Sequence, residues 1–288
     1  MGKRKIMSGI CCNGIITGTA AAAHGHTKSR MKTPIAYYGG KLNMVKRILP
    51  RIPEHKIYVE PFFGGGAVFF AKEPSKIEVI NDKFDLAIGF FQTAKRNFPA
   101  LKKRIEETLH AEQCKNLAQK VLTDSNLDDV SSAWAFWVLT NMTFAHKFNG
   151  GFAFGKDSIA DTTAARIDAF TNDISQRLRH VQIFCRDALD VIRRFDSEET
   201  FFYLDPPYVN SDCGHYNKGK DIYYDLLNLL PELRGKWLLS SYPTPELDRL
   251  RNQPGICGEN IVKSLAVSAK NTGKVKTETL TWNYELSM

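Results

Sequence analysis

The chain has 288 residues, 43% hydrophobic and 24% charged. That balance excludes a disordered or fibrous polymer and fits one large or two small globular domains. Lys and Arg number 39 against 31 Asp and Glu, a net charge of +8, which suits a polyanionic partner without requiring one. No apolar run approaches the roughly 20 residues that span a bilayer, so no membrane partner is expected.

Lys3-Arg4-Lys5 and the mildly apolar stretch to Ala23 imitate a secretory signal, but Asn13, Thr17 and Thr19 interrupt it. Residues 1–31 are therefore expected to be a disordered extension. Six cysteines (Cys11, Cys12, Cys114, Cys185, Cys213 and Cys257) lack paired C-x-x-C spacing. They read as reduced thiols of a cytoplasmic protein, and no metal is expected. Leu42 to Leu49 reads as a helix after Gly39-Gly40-Lys41. Tyr58 to Phe63, Gly64-Gly65-Gly66 and Ala67 to Phe70 read as strand, glycine turn and helix start. Ile77 to Ile80 is a second strand, ending in Asn81-Asp82, and Phe84 to Phe98 a helix.

Residues 92–180 lose this strand–glycine–helix rhythm. Leu101 to Val121 reads as one amphipathic stretch, and Ala133 to Phe144 as an apolar one. Trp134, Phe136 and Trp137 recur at helical spacing and are assigned to the core. From Val181 the α/β pattern resumes. Val181 to Cys185, Phe201 to Leu204 and Trp237 to Ser241 are predicted strands, and Ile261 to Val267 with Thr277 to Tyr284 a terminal antiparallel pair. The fold class is α/β with a mainly helical insertion.

The chemistry sits at the ends of these strands. Asp205-Pro206-Pro207-Tyr208 follows Phe201 to Leu204. The acid and the Pro206 carbonyl can both accept from one exocyclic amine, the prolines fix the turn, and Tyr208 offers a flat stacking face. The glycine turn admits close backbone approach by a ligand. An acid after the second strand, Asp82, suits ribose hydroxyls. The glycines do not form G-x-G-x-x-G, so a pyrophosphate is disfavoured. Asp187 is balanced between a base contact and a helix N-cap before Ala188. The segment from Asn141 to Phe152 mixes amides, cations and aromatics on a loop, as DNA readers do. Within it His146 is balanced between a DNA contact and an ordinary loop residue, Lys147 is a phosphate candidate, and Asn149 a base-edge candidate.

In their order, these motifs resemble the Dam-like, D12-class N6-adenine DNA methyltransferases. Tyr37-Tyr38-Gly39-Gly40-Lys41 is similar to that family's N-terminal cofactor motif. Glu60-Pro61-Phe62-Phe63-Gly64-Gly65-Gly66 is similar to its glycine motif, and Asn81-Asp82 to its ribose-binding acid. Asp205 to Tyr208 matches the catalytic tetrapeptide. Ser268-Ala269-Lys270 with Lys274 to Glu278 is similar to the C-terminal segment. Phe148-Asn149-Gly150 resembles a recognition segment but lacks its usual following arginine.

The resemblance implies a Rossmann-like, S-adenosylmethionine-dependent methyltransferase fold. A catalytic domain would cover 32–91 and 181–288, and a DNA target-recognition domain 92–180, with the loop from Val209 to Lys220 as the alternative recognition element. It implies methyl transfer to adenine N6 in a specific double-stranded DNA sequence by base flipping. Asp205, Pro206, Pro207 and Tyr208 would be catalytic. Tyr37, Lys41, Glu60, Pro61, Phe62, Gly64, Gly66, Asp82, Asp187 and Asp205 would hold S-adenosyl-L-methionine. His146, Lys147 and Asn149 would meet DNA. A monomer is expected, and a cognate restriction endonuclease is a partner the class allows. N4-cytosine, RNA or protein-amide methylation and a catalytically dead DNA binder stay open as alternatives.

Overall fold

A computed structural model describes residues 31–155, 159–208, 219–264 and 275–286. Residues 1–30, most of the loop from Val209 to Lys220, Ser268-Ala269-Lys270 and Lys274 lie outside the described residues. Among the described residues seven strands form one sheet: β1 (Ile57–Glu60), β2 (Ile77–Asn81), β3 (Gln182–Phe184), β4 (Thr200–Leu204), β5 (Lys236–Ser241), β6 (Cys257–Ser264) and β7 (Val275–Trp282). Their order across the sheet is β3-β2-β1-β4-β5-β7-β6. The first five run parallel, and β7 is antiparallel to both β5 and β6. The terminal antiparallel pair expected from the sequence is therefore present.

Strand alternation explains why Phe201 to Leu204 is apolar without a break. Phe201 and Tyr203 join one core with Tyr58, Leu238 and Leu280. Phe202 and Leu204 join a second with Val59, Trp237 and Leu239. A strand covered on both faces has no polar side to show. Helices α9 (Ala188–Phe195), α10 (Gly219–Leu229) and α11 (Pro245–Arg251) cover the second face.

The first face carries α1 (Val45–Ile48), α2 (Ala67–Ala71), α3 (Asp85–Arg96) and the helical insertion: α4 (Phe98–Glu106), α5 (Glu112–Val121), α6 (Asp129–Asn141), α7 (Ile159–Asp168) and α8 (Asn172–Leu178). Helix α6 is apolar all round and nearly all of it is buried, as such a helix must be. Trp134, Phe136 and Trp137 are core, in one continuous cluster with Tyr58 and Tyr203 of the sheet. The insertion thus shares its core with the sheet. It also steers the chain toward the strand ends: the Trp137 indole donates to the Pro34 carbonyl at 3.1 Å, and Asn141 Oδ1 accepts from the Ala36 amide at 3.1 Å.

Three predicted boundaries need correction. The run from Leu101 to Val121 is two helices, broken over residues 107–111. Thr108 competes with helical continuation there, donating to the Arg104 carbonyl at 2.8 Å and accepting from the Trp134 indole at 2.8 Å. The predicted helix from Phe84 to Phe98 stops at Arg96, and Phe98-Pro99 opens α4. Leu42 to Leu49 is helical only from Val45, after a turn in which the Lys41 carbonyl accepts from Met44 and Val45.

Between sheet and insertion lies a buried charged cluster. Glu78 of β2 accepts from Lys72 Nζ at 2.6 Å, from Arg177 Nη2 of α8 at 2.8 Å, and again from Arg177 Nη1. The Arg177 guanidinium also stands 3.6 Å over the Phe69 ring.

Candidate active site

The order of connection reverses between β1 and β4, and in open α/β sheets ligands bind outside the strand ends at such a point. A cavity of about 980 Å³ opens there. Glu60 ends β1, Asp82 follows β2, Asp205 follows β4 and Tyr242 follows β5, and all four line it. The parallel strands thus collect, from positions far apart in sequence, Glu60, Asp82 and Asp205, which were singled out above, together with Tyr242, which was not.

The glycine turn lies on one wall. The Gly64 amide donates to Asp82 Oδ2 at 2.7 Å, and Asp82 Oδ1 accepts from Phe84 at 2.9 Å. Gly64 has φ +49°, and a Cβ there would meet the Tyr37 ring at 3.0 Å. Gly66, at φ +67°, opens α2, and a Cβ on it would stand 2.4 Å from Phe63. These two positions need glycine. Pro61, Phe62 and Tyr37 complete this wall. Asn81 is not exposed to the cavity. Its amide donates to the Pro61 and Arg186 carbonyls at 2.9 and 3.1 Å, tying together the ends of β1, β2 and β3.

Asp187 fills the N-cap role: its Oδ1 accepts from the Leu189 amide at 3.0 Å. It also lines the cavity, with Lys83 Nζ 3.6 Å away. The two readings of this residue are compatible.

The DPPY turn lines the same cavity. The Asp205 side chain is 18% exposed, and Lys41 Nζ lies 2.7 Å from Oδ1 and 2.8 Å from Oδ2. Burial pushes the Asp205 carboxyl up, and Lys41 pulls it back part of the way. The Tyr208 hydroxyl pairs with Ser240 Oγ at 3.0 Å, and its ring lies 4.2 Å from that of Tyr242. Sequence reasoning missed this Lys41–Asp205 pairing. It also gave no role to Tyr242 or Glu278, which stand on the same cavity. The position of Tyr242, directly after the strand beside β4, was the available signal.

Glu60 is 2% exposed and accepts the Tyr58 hydroxyl at 2.7 Å. Burial, opposed by that hydroxyl and aided by the charge of Asp205, raises it to about 8. The folded protein then keeps a proton that the unfolded chain gives up at the ordinary carboxylate pKa. Stability should therefore fall as pH rises from about 5 to about 8, by on the order of 1–3 kcal/mol. Glu60→Gln should flatten that slope in denaturant titrations at the two pH values. An unchanged slope would place the proton elsewhere.

His146 also lines the cavity, half-buried, beside Arg166. Burial, then the Arg166 charge, lowers its pKa, and its Nδ1 is 3.2 Å from the Thr140 carbonyl. Lys147 and Asn149 are exposed and stand off the cavity lining, with Lys147 Nζ 5.2 Å from the Tyr38 ring centroid. Among the described residues no group of three His, Cys, Asp or Glu is placed to hold a metal ion. No helix among them is long and apolar enough to cross a membrane.

A parallel sheet with a reversed β7 beside β5, and a DPPY turn lining the cavity at its strand ends, define a Rossmann-like methyltransferase. The chain belongs to the D12 class N6 adenine-specific DNA methyltransferase family, which it matches over residues 37–245. It is 26% identical over 273 residues to the DNA N-6-adenine-methyltransferase of Escherichia phage P1, covering 85% of this chain and 35% of that protein. It is 25% identical over 205 residues to the Type II methyltransferase M.MjaIII of Methanocaldococcus jannaschii, covering 62% of this chain and 69% of that protein. Modification methylase StsI of Streptococcus sanguinis is 24% identical over 220 residues, 70% of this chain and 32% of that protein. The chain thus spans about a third of the length of the phage and StsI relatives.

Proposed function

We propose that the protein transfers a methyl group from S-adenosyl-L-methionine to N6 of adenine in a specific double-stranded DNA sequence. The observation that carries this reading is Asp205 beside Tyr208 on the same cavity as the glycine turn and Asp82. The residues fit a nucleoside-bearing cofactor. Gly64 and Gly66 hold left-handed turns on the cavity lining, and Asp82 is a buried acid on the same lining, fixed by the Gly64 and Phe84 amides. Tyr37, Glu60, Pro61, Phe62 and Asp187 complete the set that would hold it, while the Lys41 ammonium is engaged by Asp205 and the Gly39 carbonyl. When bound, the cofactor supplies a methyl group on a sulfonium.

The chain's own residues do the rest. Adenine N6 is paired inside a duplex, so the base is flipped out into the cavity. Tyr208 stacks on it. Asp205 and the Pro206 carbonyl accept the two N6 hydrogens, with Pro207 keeping the turn rigid, and so aim the nitrogen lone pair. Positioning and electrostatics supply the catalysis. Residues 92–180 read the DNA, with Lys147 on phosphate and His146 and Asn149 toward the bases, while 32–91 and 181–288 carry cofactor and chemistry.

The test is methyl transfer from labelled cofactor to duplex DNA, RNA and protein in parallel. Label in duplex DNA supports the reading, and label in RNA or protein alone overturns it. Asp82→Ala should weaken cofactor binding by about 1–3 kcal/mol, the loss expected for unpaired hydroxyls. Titration calorimetry reads it, and an unchanged affinity would reject the ribose role.

A further inference from the structure

To hold an amine, Asp205 must be an ionised acceptor. Its surroundings oppose that. Glu278 of β7 is a second acid on the same cavity, Glu60 of β1 keeps its proton, Tyr203 of β4 adds a neutral hydroxyl, and of these groups the Tyr208 hydroxyl alone favours the charged acid, by hydrogen bonding. The helical insertion contributes His146 and Arg166 to the cavity lining. In a largely buried site, a neighbouring carboxylate and lost hydration both favour the protonated acid.

Lys41 answers this. It is 5% exposed, and its Nζ lies 2.7 and 2.8 Å from the two Asp205 oxygens and 3.1 Å from the Gly39 carbonyl. Three acceptors match the three donors of an ammonium, so in this arrangement none is left for a ligand. The same nitrogen stands 4.6 Å from the Tyr208 ring centroid. An N–H donor on Asp205, over the face of Tyr208, is the arrangement ascribed above to the target amine. Gly39, at φ +76°, and the Tyr37–Gly40 hydrogen bond of 2.9 Å make the turn that delivers Lys41 there.

We propose that Lys41 is a positioning residue, the counter-ion that keeps Asp205 in its acceptor form and holds the amine's seat until the base arrives. This rests on the reading of Asp205 given above. It predicts a pH signature. The acid limb of kcat/KM reports the free enzyme, in which the pair is made. On duplex DNA, Lys41→Met should move that limb to higher pH by about one unit or more, so that activity on the acid side drops roughly tenfold relative to the plateau. Lys41→Arg, which keeps the charge, should restore the limb.

Coincident limbs for wild type and Lys41→Met would overturn the proposal while leaving the methyltransferase reading intact. A wild type that never methylates DNA would instead remove that reading. An arm free of activity covers a variant that fails to fold. Amine-directed labelling of the intact wild-type protein, read by peptide mass spectrometry, should find Lys41 protected. In Asp205→Asn the same lysine should label several-fold faster, and equal rates would overturn the pairing.

Discussion

Asp205→Ala is expected to lower methyl transfer to duplex DNA by about 10³-fold or more while the protein stays folded. Losing one preorganised polar partner of a reacting group typically costs about 10²–10³ in rate. Asp205 is proposed to do more than that, since it both anchors the amine and orients its lone pair. The substitution does not empty the core. Asp205 stands at the end of β4 on the cavity, and the residues packed on both faces of that strand, Phe201 to Leu204, are untouched. Lys41 loses its partner but already borders the cavity. Turnover within a few-fold of wild type, with an unchanged thermal midpoint, would remove Asp205 from the catalytic assignment.

Glu78→Ala should have the largest effect on stability, about 3–5 kcal/mol, because it strands two buried cations. The Lys72 and Arg177 side chains are 4% and 8% exposed, and Glu78 is the acid that faces both. Ser75 donates its amide to the same carboxylate at 3.1 Å, so a structured turn is lost as well. For a domain of this size the midpoint should drop by roughly 6–15 °C. Burial pushes the Glu78 carboxyl up, but Arg177 and Lys72 outweigh it and hold it below the ordinary range. Its contribution is therefore present above the ordinary carboxylate pKa and lost as pH falls through the depressed one. The gap between wild type and variant should narrow in acid. Thermal melts at neutral and acid pH check both points, and a variant within 1 kcal/mol of wild type would show the cluster to be dispensable.

The sheet was legible because its strands carry local signals. Phe201 to Leu204 is an unbroken apolar run closed by a rigid turn, and Ile77 to Ile80 is a second one closed by Asn81-Asp82. Gly64 and Gly66 mark a conformation that other residues resist. The break after Glu106 was not legible. It depends on Trp134, 26 positions from Thr108, and no window over α4 and α5 contains that partner. The same holds for Lys41 and Asp205, 164 positions apart, and for Glu78 and Arg177, 99 apart. Sequence singled out Lys41 and Asp205 separately and gave no role to Glu78 or Arg177. Only the fold shows which charges meet, and burial then decides how strongly they shift one another.

The amine proposed to be held by Asp205 is N6 of adenine. Duplex DNA incubated with the protein and S-adenosylmethionine, digested to nucleosides and resolved by mass spectrometry, tests it most directly. N6-methyladenine should appear, and should be absent when Asp205→Ala replaces the wild type. N4-methylcytosine in its place, or DNA that is bound but unmethylated, would contradict it.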